Sequence, residues 1–208
     1  MADMRVLDTI AYGNARAGYC GMSSEVKECL QKRFIALDTE TTGLAPEKDR
    51  IVEVAVLLFE EGQITDRFVS YVNPGITIAA DVSAVNHITD EMFADAPKPE
   101  EVYPELLSFL GAAVKGETLI CGHVTAFDLS FLCHELSMLE TPVKTDFRFV
   151  DTRRLAVGNS ALESHSLAAV AAYYHIPHEY AHHAEEDAAV SGQIMLKMLG
   201  NKSGDSYE

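Results

Sequence analysis

Residues 34–44 read FIALDTETTGL, an apolar run that ends in two carboxylates. The segment from Arg33 to Thr39 has the length and the apolar composition of a buried strand. Asp38 and Glu40 stand two residues apart at its end, so both side chains project from the same face. Such a pair also occurs where a strand simply enters a loop, but a buried strand holds unpaired carboxylates only at a high free-energy cost. The stretch therefore predicts a central strand that presents two acids for cation binding.

The flanking segments predict the rest of the fold. Ile51–Glu60 and Gln63–Val72 are rich in Val, Ile and Phe and are separated by Glu61-Gly62, which indicates a hairpin. Further elements alternate after it, with helices at 97–114, 127–139, 166–174 and 184–199 and strands at 118–121 and 147–151. This order favours an α/β fold with a mixed five-stranded sheet, antiparallel in its first half and parallel in its second. Helices are expected on both faces.

The chain length of 208 residues suits a single domain with a substantial core. We expect residues 1–32 to be an N-terminal extension that is partly helical, with a short helix over 23–32. Residues 33–200 are expected to form the main domain, and residues 201–208 a tail.

The composition is that of a globular protein, because 48% of the residues are apolar and no stretch is long enough to span a bilayer. The first 25 residues contain no apolar run, so no secretory signal is predicted. Four cysteines lack both CxxC spacing and the density of a disulfide framework: Cys20, Cys29, Cys121 and Cys133. Reduced thiols and the lack of a signal predict a cytoplasmic protein without a membrane segment.

A third acid stands at the start of a predicted helix. The stretch GHVTAFD at 122–128 ends in Asp128, and apolar residues follow it at helical spacing. Thr125 and Asp128 also have the spacing of a capping box, and an acid in a first turn interacts favourably with the helix dipole. Capping and cation binding are therefore both open for Asp128, and one carboxylate can serve both roles.

The last acidic stretch, HHAEEDA at 182–188, begins the C-terminal helix. Asp187 lies next to the apolar stripe of that helix. Helical geometry pairs His183 with Asp187, whereas His182 would lie in the preceding loop, in a position to act as a general base. Histidine is the residue type that exchanges protons near neutral pH. The residues alone leave the choice between the two histidines open.

Four carboxylates and an imidazole, together with the Asp-Thr pair at 151–152, have the composition of a two-metal phosphodiester hydrolase. Oxygen ligands suit Mg²⁺ or Mn²⁺, and two such ions about 4 Å apart can stabilise both the attacking and the leaving oxygen. The net charge of −16 argues against binding long duplexes through broad phosphate neutralisation. It is compatible with a nuclease whose positive charge arrives with its metal ions.

These motifs resemble those of the DEDDh 3′–5′ exonucleases, most closely the epsilon-like proofreading exonucleases of bacterial DNA polymerase III. The resemblance extends from about Arg33 to Leu199. It rests on stretches that occur in the family's order, namely Asp38-x-Glu40-Thr41-Thr42-Gly43-Leu44, Ile88-Thr89, Gly122-His123 through Phe127-Asp128, Asp151-Thr152 and His182-x4-Asp187.

The resemblance implies a ribonuclease-H-like fold and a role for each acid. By this likeness Asp38, Glu40, Asp128 and Asp187 would hold two divalent metal ions, Mg²⁺ or Mn²⁺. It implies that His182 is the general base, because the family places its histidine five residues before the last aspartate.

The same resemblance implies substrate contacts. It implies that Thr41, Thr42 and Leu44 bind the 3′-terminal nucleotide and that Phe127 packs against the scissile end. One position departs from the family, because Val124 stands where the family usually has Asn. A valine cannot make the hydrogen bonds of an amide, so contacts to the substrate or to this loop must differ.

A second departure lies before Ile88-Thr89. The family commonly shows His-Gly there, whereas this chain has Asn86-His87. Neither departure touches an implied metal ligand, so we expect activity to be kept and substrate preference to shift.

The sequence therefore predicts a 3′–5′ exonuclease that hydrolyses terminal phosphodiesters of single-stranded DNA ends and releases 5′-mononucleotides. An RNA-directed exonuclease of the oligoribonuclease or ribonuclease T type is the main alternative, because residues that sense a 2′-hydroxyl are not identifiable in the sequence. A non-catalytic nucleic-acid-binding module and a ribonuclease-H-type endonuclease are weaker alternatives. Single-stranded 3′ ends are the expected partners, a DNA polymerase is a candidate partner, and the oligomeric state is left open.

Overall fold

A mixed sheet of seven strands lies at the centre of the computed structural model, which describes residues 7–78, 83, 88–179 and 182–200. Within these ranges the strands are β1 (Thr9–Tyr12), β2 (Ala15–Tyr19), β3 (Arg33–Thr41), β4 (Ile51–Glu60), β5 (Gln63–Tyr71), β6 (Ile120–Gly122) and β7 (Phe147–Asp151). Their order across the sheet is β1-β2-β7-β6-β3-β4-β5. The acidic strand β3 therefore lies inside the sheet, between β6 and β4.

The helices of the described residues are α1 (Ser24–Lys32), α2 (Asp90–Phe93), α3 (Pro99–Leu110), α4 (Thr125–Met138), α5 (Thr152–Val157), α6 (Leu167–Tyr173) and α7 (Ala184–Gly200). Ser23 caps α1 by accepting a hydrogen bond from the backbone N–H of Val26. The helix predicted over 97–114 ends as an α-helix at Leu110, and Gly111–Lys115 continues as a 3₁₀ helix. Gly111 has a φ of 49°, which glycine adopts without a steric penalty.

The predicted change from antiparallel to parallel pairing is present in the sheet. Strands β3, β4 and β5 form an antiparallel meander, as the hairpin signal at Glu61-Gly62 predicts. On its other side β3 pairs with β6, and β6 pairs with β7, in parallel. The mixed α/β fold is confirmed.

The sheet has two more strands than the five predicted. Residues 9–19, inside the segment expected to be an N-terminal extension, form the antiparallel hairpin β1–β2, and β2 pairs with β7 in parallel. Ala15 and Ala17 are buried and Arg16 between them is exposed, which is the alternation of a strand. Alanine has little strand propensity, so the composition of the segment hides the pattern. The helix expected over 23–32 is present as α1.

Helices cover both faces of the sheet, as predicted. The central strand β3 correspondingly has apolar side chains on both of its faces. Ile35 and Leu37 belong to the core cluster that includes residues of α3 and α4. Phe34 and Ala36 belong to the cluster on the opposite face, with residues of α1 and α7. A continuous apolar run of this kind is typical of a strand that is buried on both faces.

The helices in the described part of the chain include none that is long and apolar enough to cross a membrane. Three expectations from the sequence concern residues outside the described ranges. They are the tail over 201–208, the first six residues of the N-terminal extension, and the Asn86-His87 pair.

Candidate active site

The first two acids lie where β3 ends. Asp38 faces Ala55 across the antiparallel pairing with β4, and Glu40 faces Glu53. The register shifts between Glu40 and the following residue, so regular pairing ends where the acids stand. Because side chains alternate along a strand, Asp38 and Glu40 project from one face, as expected from their spacing.

Asp128 lies in the first turn of α4 and is held by β3. The backbone N–H and the hydroxyl of Thr39 both donate to Asp128 Oδ1, at 3.0 and 2.8 Å. The capping-box alternative is not realised, because Thr125 donates its hydroxyl to the carbonyl of Val150 on β7 instead. Burial raises the pKa of Asp128 to about 8, although the hydrogen bonds from Thr39 act in the opposite direction.

Asp187 and His182 complete the group at the start of α7. Ligand atoms of Glu40, His182 and Asp187 lie within 4.8 Å of one another. His182 precedes α7 and has a left-handed backbone with a φ of 70°, and its N–H lies 3.4 Å from Asp187 Oδ2. The neighbouring His183 instead lines an open pocket of about 440 Å³, together with Glu53. The structure thus brings His182, and not His183, to Glu40 and Asp187.

Among these acids, Asp38 is the one whose pKa is raised by the neighbouring carboxylates of the group. The pKa of Asp38 is well above its ordinary value because of burial and because four carboxylates stand nearby, those of Asp128, Asp187, Glu40 and Glu53. A divalent cation would relieve both effects, since it supplies positive charge and oxygen coordination at the same place. The donor set, carboxylate oxygens with one imidazole, fits hard ions such as Mg²⁺ or Mn²⁺.

Two residues of this region have no role in the sequence-based prediction. Glu53, 5% exposed, accepts a long hydrogen bond of 3.4 Å from the N–H of Ala184 at the start of α7. The sequence contains a signal for Glu53, because an acid inside the otherwise apolar run IVEVAVLLF is unusual for a buried strand. His178 Nε2 lies 2.6 Å from Asp187 Oδ1. Nothing in the local sequence distinguishes His178 from other loop histidines.

The turn between β6 and α4 places Asp128 through contacts with β7 and α5. Val124 in this turn has a φ of 70°, which is rare for a β-branched residue. Its N–H donates to Asp151 Oδ1 at 3.2 Å. His123 contacts the hydroxyl of Thr152 and the carbonyl of His165, each at 2.9 Å. Burial lowers the pKa of His123 to about 4, so this ring stays neutral at physiological pH and serves as a hydrogen-bonded support.

A tightly bonded loop over residues 42–50 follows the acids of β3. Thr42 and Arg50 close it with reciprocal hydrogen bonds, N–H to carbonyl at 2.9 Å and N–H to hydroxyl at 3.0 Å. A side chain at Gly43 would collide with the carboxylate of Asp49, which accepts from the N–H of Ala45 at 2.9 Å. Leu44 is 77% exposed in this loop. The loop therefore presents an apolar side chain to solvent on a firmly bonded backbone.

The remaining implied substrate residues lie at the same end of β3 and at the start of α4. The hydroxyl of Thr41 donates to the carbonyl of Gly43 at 2.6 Å, which ties the end of the strand to the loop. The ring of Phe127 is partly exposed and lies 4.9 Å from that of Phe131. Phe127 thus packs against Phe131, which lies one turn further along the same helix.

Comparison with known proteins gives consistent matches. The family model described as "Exonuclease" matches residues 35–195. DNA polymerase III subunit epsilon of Treponema pallidum is 33% identical over 171 residues, which cover 81% of this chain and 77% of that protein. The 3′-5′ exonuclease DinG of Bacillus subtilis is 32% identical over 81% of this chain, but the match spans only 18% of DinG.

Solved structures with the same architecture include nucleases bound to DNA. Exonuclease I of E. coli in complex with a dT13 oligonucleotide superimposes with a TM-score of 0.65 at 18% identity, over 83% of this chain and 42% of that one. Exonuclease X in complex with 5′ overhanging duplex DNA gives a TM-score of 0.59 at 24% identity, over 84% of this chain and 93% of that one. At these identities the likeness concerns the fold, and it confirms the predicted ribonuclease-H-like architecture.

Proposed function

Because the chain belongs to the exonuclease family whose model matches residues 35–195, a family of 3′–5′ exonucleases, we propose that its acidic cluster hydrolyses the 3′-terminal phosphodiester of single-stranded DNA. The products would be 5′-mononucleotides. One observation carries this proposal, namely the convergence of Glu40, His182 and Asp187 within 4.8 Å. Asp38 adjoins this group, because the carboxylates of Asp128, Asp187 and Glu40 contribute to its raised pKa.

Asp38, Glu40, Asp128 and Asp187 are the residues that would hold two divalent ions, Mg²⁺ or Mn²⁺. When bound, such ions neutralise phosphate charge and stabilise the attacking and leaving oxygens. Burial raises the pKa values of Asp38 and Asp128, and neighbouring carboxylates raise that of Asp38 further; bound cations would offset both effects, which supports this assignment.

His182 is the general base of the proposed reaction. Its side chain is exposed next to Glu40 and Asp187, where it can reach a water molecule and return the proton to solvent. The water oxygen forms a new bond to phosphorus, and His182 takes its proton as the bond to the 3′ oxygen breaks. The leaving oxygen then receives a proton from solvent.

The 3′-terminal nucleotide is proposed to bind between the loop over 42–50 and the start of α4. Leu44 offers an exposed apolar surface to the base, and Phe127 offers an aromatic ring near the acids. Thr41 and Thr42 are buried hydroxyl residues whose bonds fix the loop that carries Leu44. A base that packs against such side chains is bound without hydrogen-bond readout, which suits a nuclease that accepts any sequence.

The similarity to polymerase subunit epsilon supports a DNA polymerase as a partner and a role in cytoplasmic DNA replication or repair. Co-elution of the chain with the polymerase of its own organism in size-exclusion chromatography would support this pairing. Separate elution at micromolar concentrations would oppose it.

The central test uses matched 5′-labelled single-stranded DNA and RNA oligonucleotides with Mn²⁺. The wild-type protein should give a ladder from the 3′ end on DNA. His182→Ala should slow it about 10²- to 10⁴-fold, the usual contribution of a general base. His183→Ala is the matched control, because this neighbouring histidine lies outside the acidic group, and it should leave the ladder intact.

The RNA arm of this assay, a circular DNA substrate and a Mn²⁺-binding measurement distinguish the alternatives. A ladder on RNA alone would agree with the proposed mechanism but would show that the substrate is RNA and not DNA. Cleavage of a circular substrate would indicate an endonuclease. Measured Mn²⁺ binding without any cleavage would mean a non-catalytic binding module.

A further inference from the structure

We propose that His178 is a positioning residue that orients the carboxylate of Asp187 for cation binding. The inference rests on the proposed function in taking Asp187 as a metal ligand. It concerns a loop residue between α6 and α7 that lies outside the motifs of the sequence.

The contact between the two side chains is short and enclosed. His178 Nε2 lies 2.6 Å from Asp187 Oδ1, and the two side chains are only 7% and 13% exposed. An ionised carboxylate is purely an acceptor, so His178 Nε2 must carry the hydrogen in this bond. Hydrogen bonds to a charged acceptor in a buried setting are among the stronger ones in proteins.

This bond restricts how Asp187 can turn. One oxygen, Oδ1, is held by His178, while Oδ2 lies 3.4 Å from the N–H of His182. These two contacts hold the carboxylate of Asp187 relative to both histidines, at a place where ligand atoms of Asp187 and Glu40 lie within 4.8 Å of each other. Partners of this kind around a metal ligand commonly raise metal affinity about 10- to 100-fold, because they remove the freedom that binding would otherwise have to restrict.

A purely structural role for His178 predicts a different result. Among the described residues, the buried Nδ1 of His178 has no hydrogen-bond partner. An apolar side chain of similar size would remove this unsatisfied atom, but it would also leave Asp187 Oδ1 without its donor, so the two effects on the stability of the metal-free protein oppose each other. A purely structural role predicts the same Mn²⁺ affinity for every variant that folds, whereas a positioning role predicts that the affinity depends on a donor at the place of Nε2.

Calorimetric titration of the metal-free protein with Mn²⁺ tests the proposal. His178→Leu should weaken Mn²⁺ binding by the folded protein about 10- to 100-fold. His178→Gln retains an N–H donor at about the distance of Nε2 and should recover most of the affinity. His134→Leu removes a histidine of α4 that packs on Tyr12, away from the acids, and should bind Mn²⁺ like the wild type.

Two results would overturn the proposal. One is wild-type or tighter Mn²⁺ binding by folded His178→Leu, and the other is a glutamine variant no better than the leucine variant. Asp187→Asn separates this failure from a failure of the proposed function. If Asp187→Asn also keeps wild-type Mn²⁺ affinity, the metal site itself is misassigned; if it loses affinity while His178→Leu does not, only the role of His178 is wrong.

Discussion

Thr39 donates two hydrogen bonds to a single oxygen of Asp128, which ties the end of β3 to the first turn of α4. The backbone N–H makes one bond and the hydroxyl makes the other, so a substitution can remove the second alone. Because Asp128 is 3% exposed, few other donors can replace the lost hydroxyl.

Thr39→Val should therefore lower kcat and destabilise the fold by about 1 kcal/mol, the usual net value of one hydrogen bond. Thr39→Ser keeps the hydroxyl and should retain most of the activity. Steady-state kinetics and urea denaturation of both variants measure the two effects. Equal losses in the two variants would show that the methyl group matters and the hydrogen bond does not.

The metal-free protein should lose stability as the pH rises from 6.5 to 8. Burial raises the pKa of Asp128 from 3.8 to about 8, so the folded state binds more protons than the unfolded state between these values. Stability therefore falls with rising pH across that range. The lowered pKa of His123, about 4 instead of 6.5, has the opposite effect, but only below pH 6.5.

Melting temperatures in EDTA at pH 6.5 and 8 measure this dependence. Asp128→Asn should remove much of the decrease, because the amide does not titrate. Mn²⁺ should reverse the decrease in the wild type, since a cation stabilises the ionised carboxylates and binds only the folded site. A melting temperature that rises between the two pH values without metal would contradict the raised pKa of Asp128.

Val124→Asn should stabilise the protein by about 1 kcal/mol, because asparagine tolerates the left-handed backbone that Val124 adopts at a φ of 70°. Val124→Ala shortens the side chain without the preference of asparagine for this conformation and serves as the control. Chemical denaturation should rank the asparagine variant above the alanine variant. The reverse ranking would mean that apolar contacts of Val124 outweigh its backbone strain.

Glu135→Ala should loosen the loop over residues 42–50. Arg50, at the end of that loop, donates two hydrogen bonds of 2.7 Å to Glu135, which is 2% exposed. Loss of the pair leaves Arg50 without its carboxylate, and we expect a destabilisation of about 2 kcal/mol. KM for an oligonucleotide should rise more than kcat falls, because the loop carries Leu44 rather than the acids.

The exposed Glu105 on α3 offers a matched glutamate-to-alanine control, which should change stability by less than about 0.5 kcal/mol. Denaturation midpoints and steady-state constants of the two variants show whether the effects come from the loss of the Arg50–Glu135 pair or from the loss of any glutamate side chain. A kcat that falls with an unchanged KM would argue that Glu135 supports the acids of the site instead of the loop.

Local periodicity was sufficient for the central strand and its acids. Side chains two residues apart on a strand project from the same face, so the spacing of Asp38 and Glu40 predicts their common direction. The same rule could not choose between His182 and His183, because the chain before α7 is irregular and His182 has a positive φ. The resemblance to a family made that choice, and the structure brings His182 to the acids.

Sequence periodicity does not predict which distant segments of the chain come into contact. His178 reaches Asp187 across a loop whose course depends on the packing of α6 and α7. Glu53 meets Glu40 through the register of β3 and β4, which hairpin signals fix only approximately. The hairpin β1–β2 was missed because alanine and glycine carry little strand propensity, although β7 supplies a free edge for it to pair with.

The hairpin also means that the part of the chain that the family model matches is smaller than the part that folds together. The family match begins at residue 35, after both strands of the hairpin and after α1. A fragment cut at that boundary would expose the unpaired backbone groups of β7 and the apolar surface that Val26 and Leu30 of α1 cover. Open strand edges recruit other strands, so such a fragment would tend to self-associate. For this chain, an expression boundary chosen by homology alone would divide a sheet.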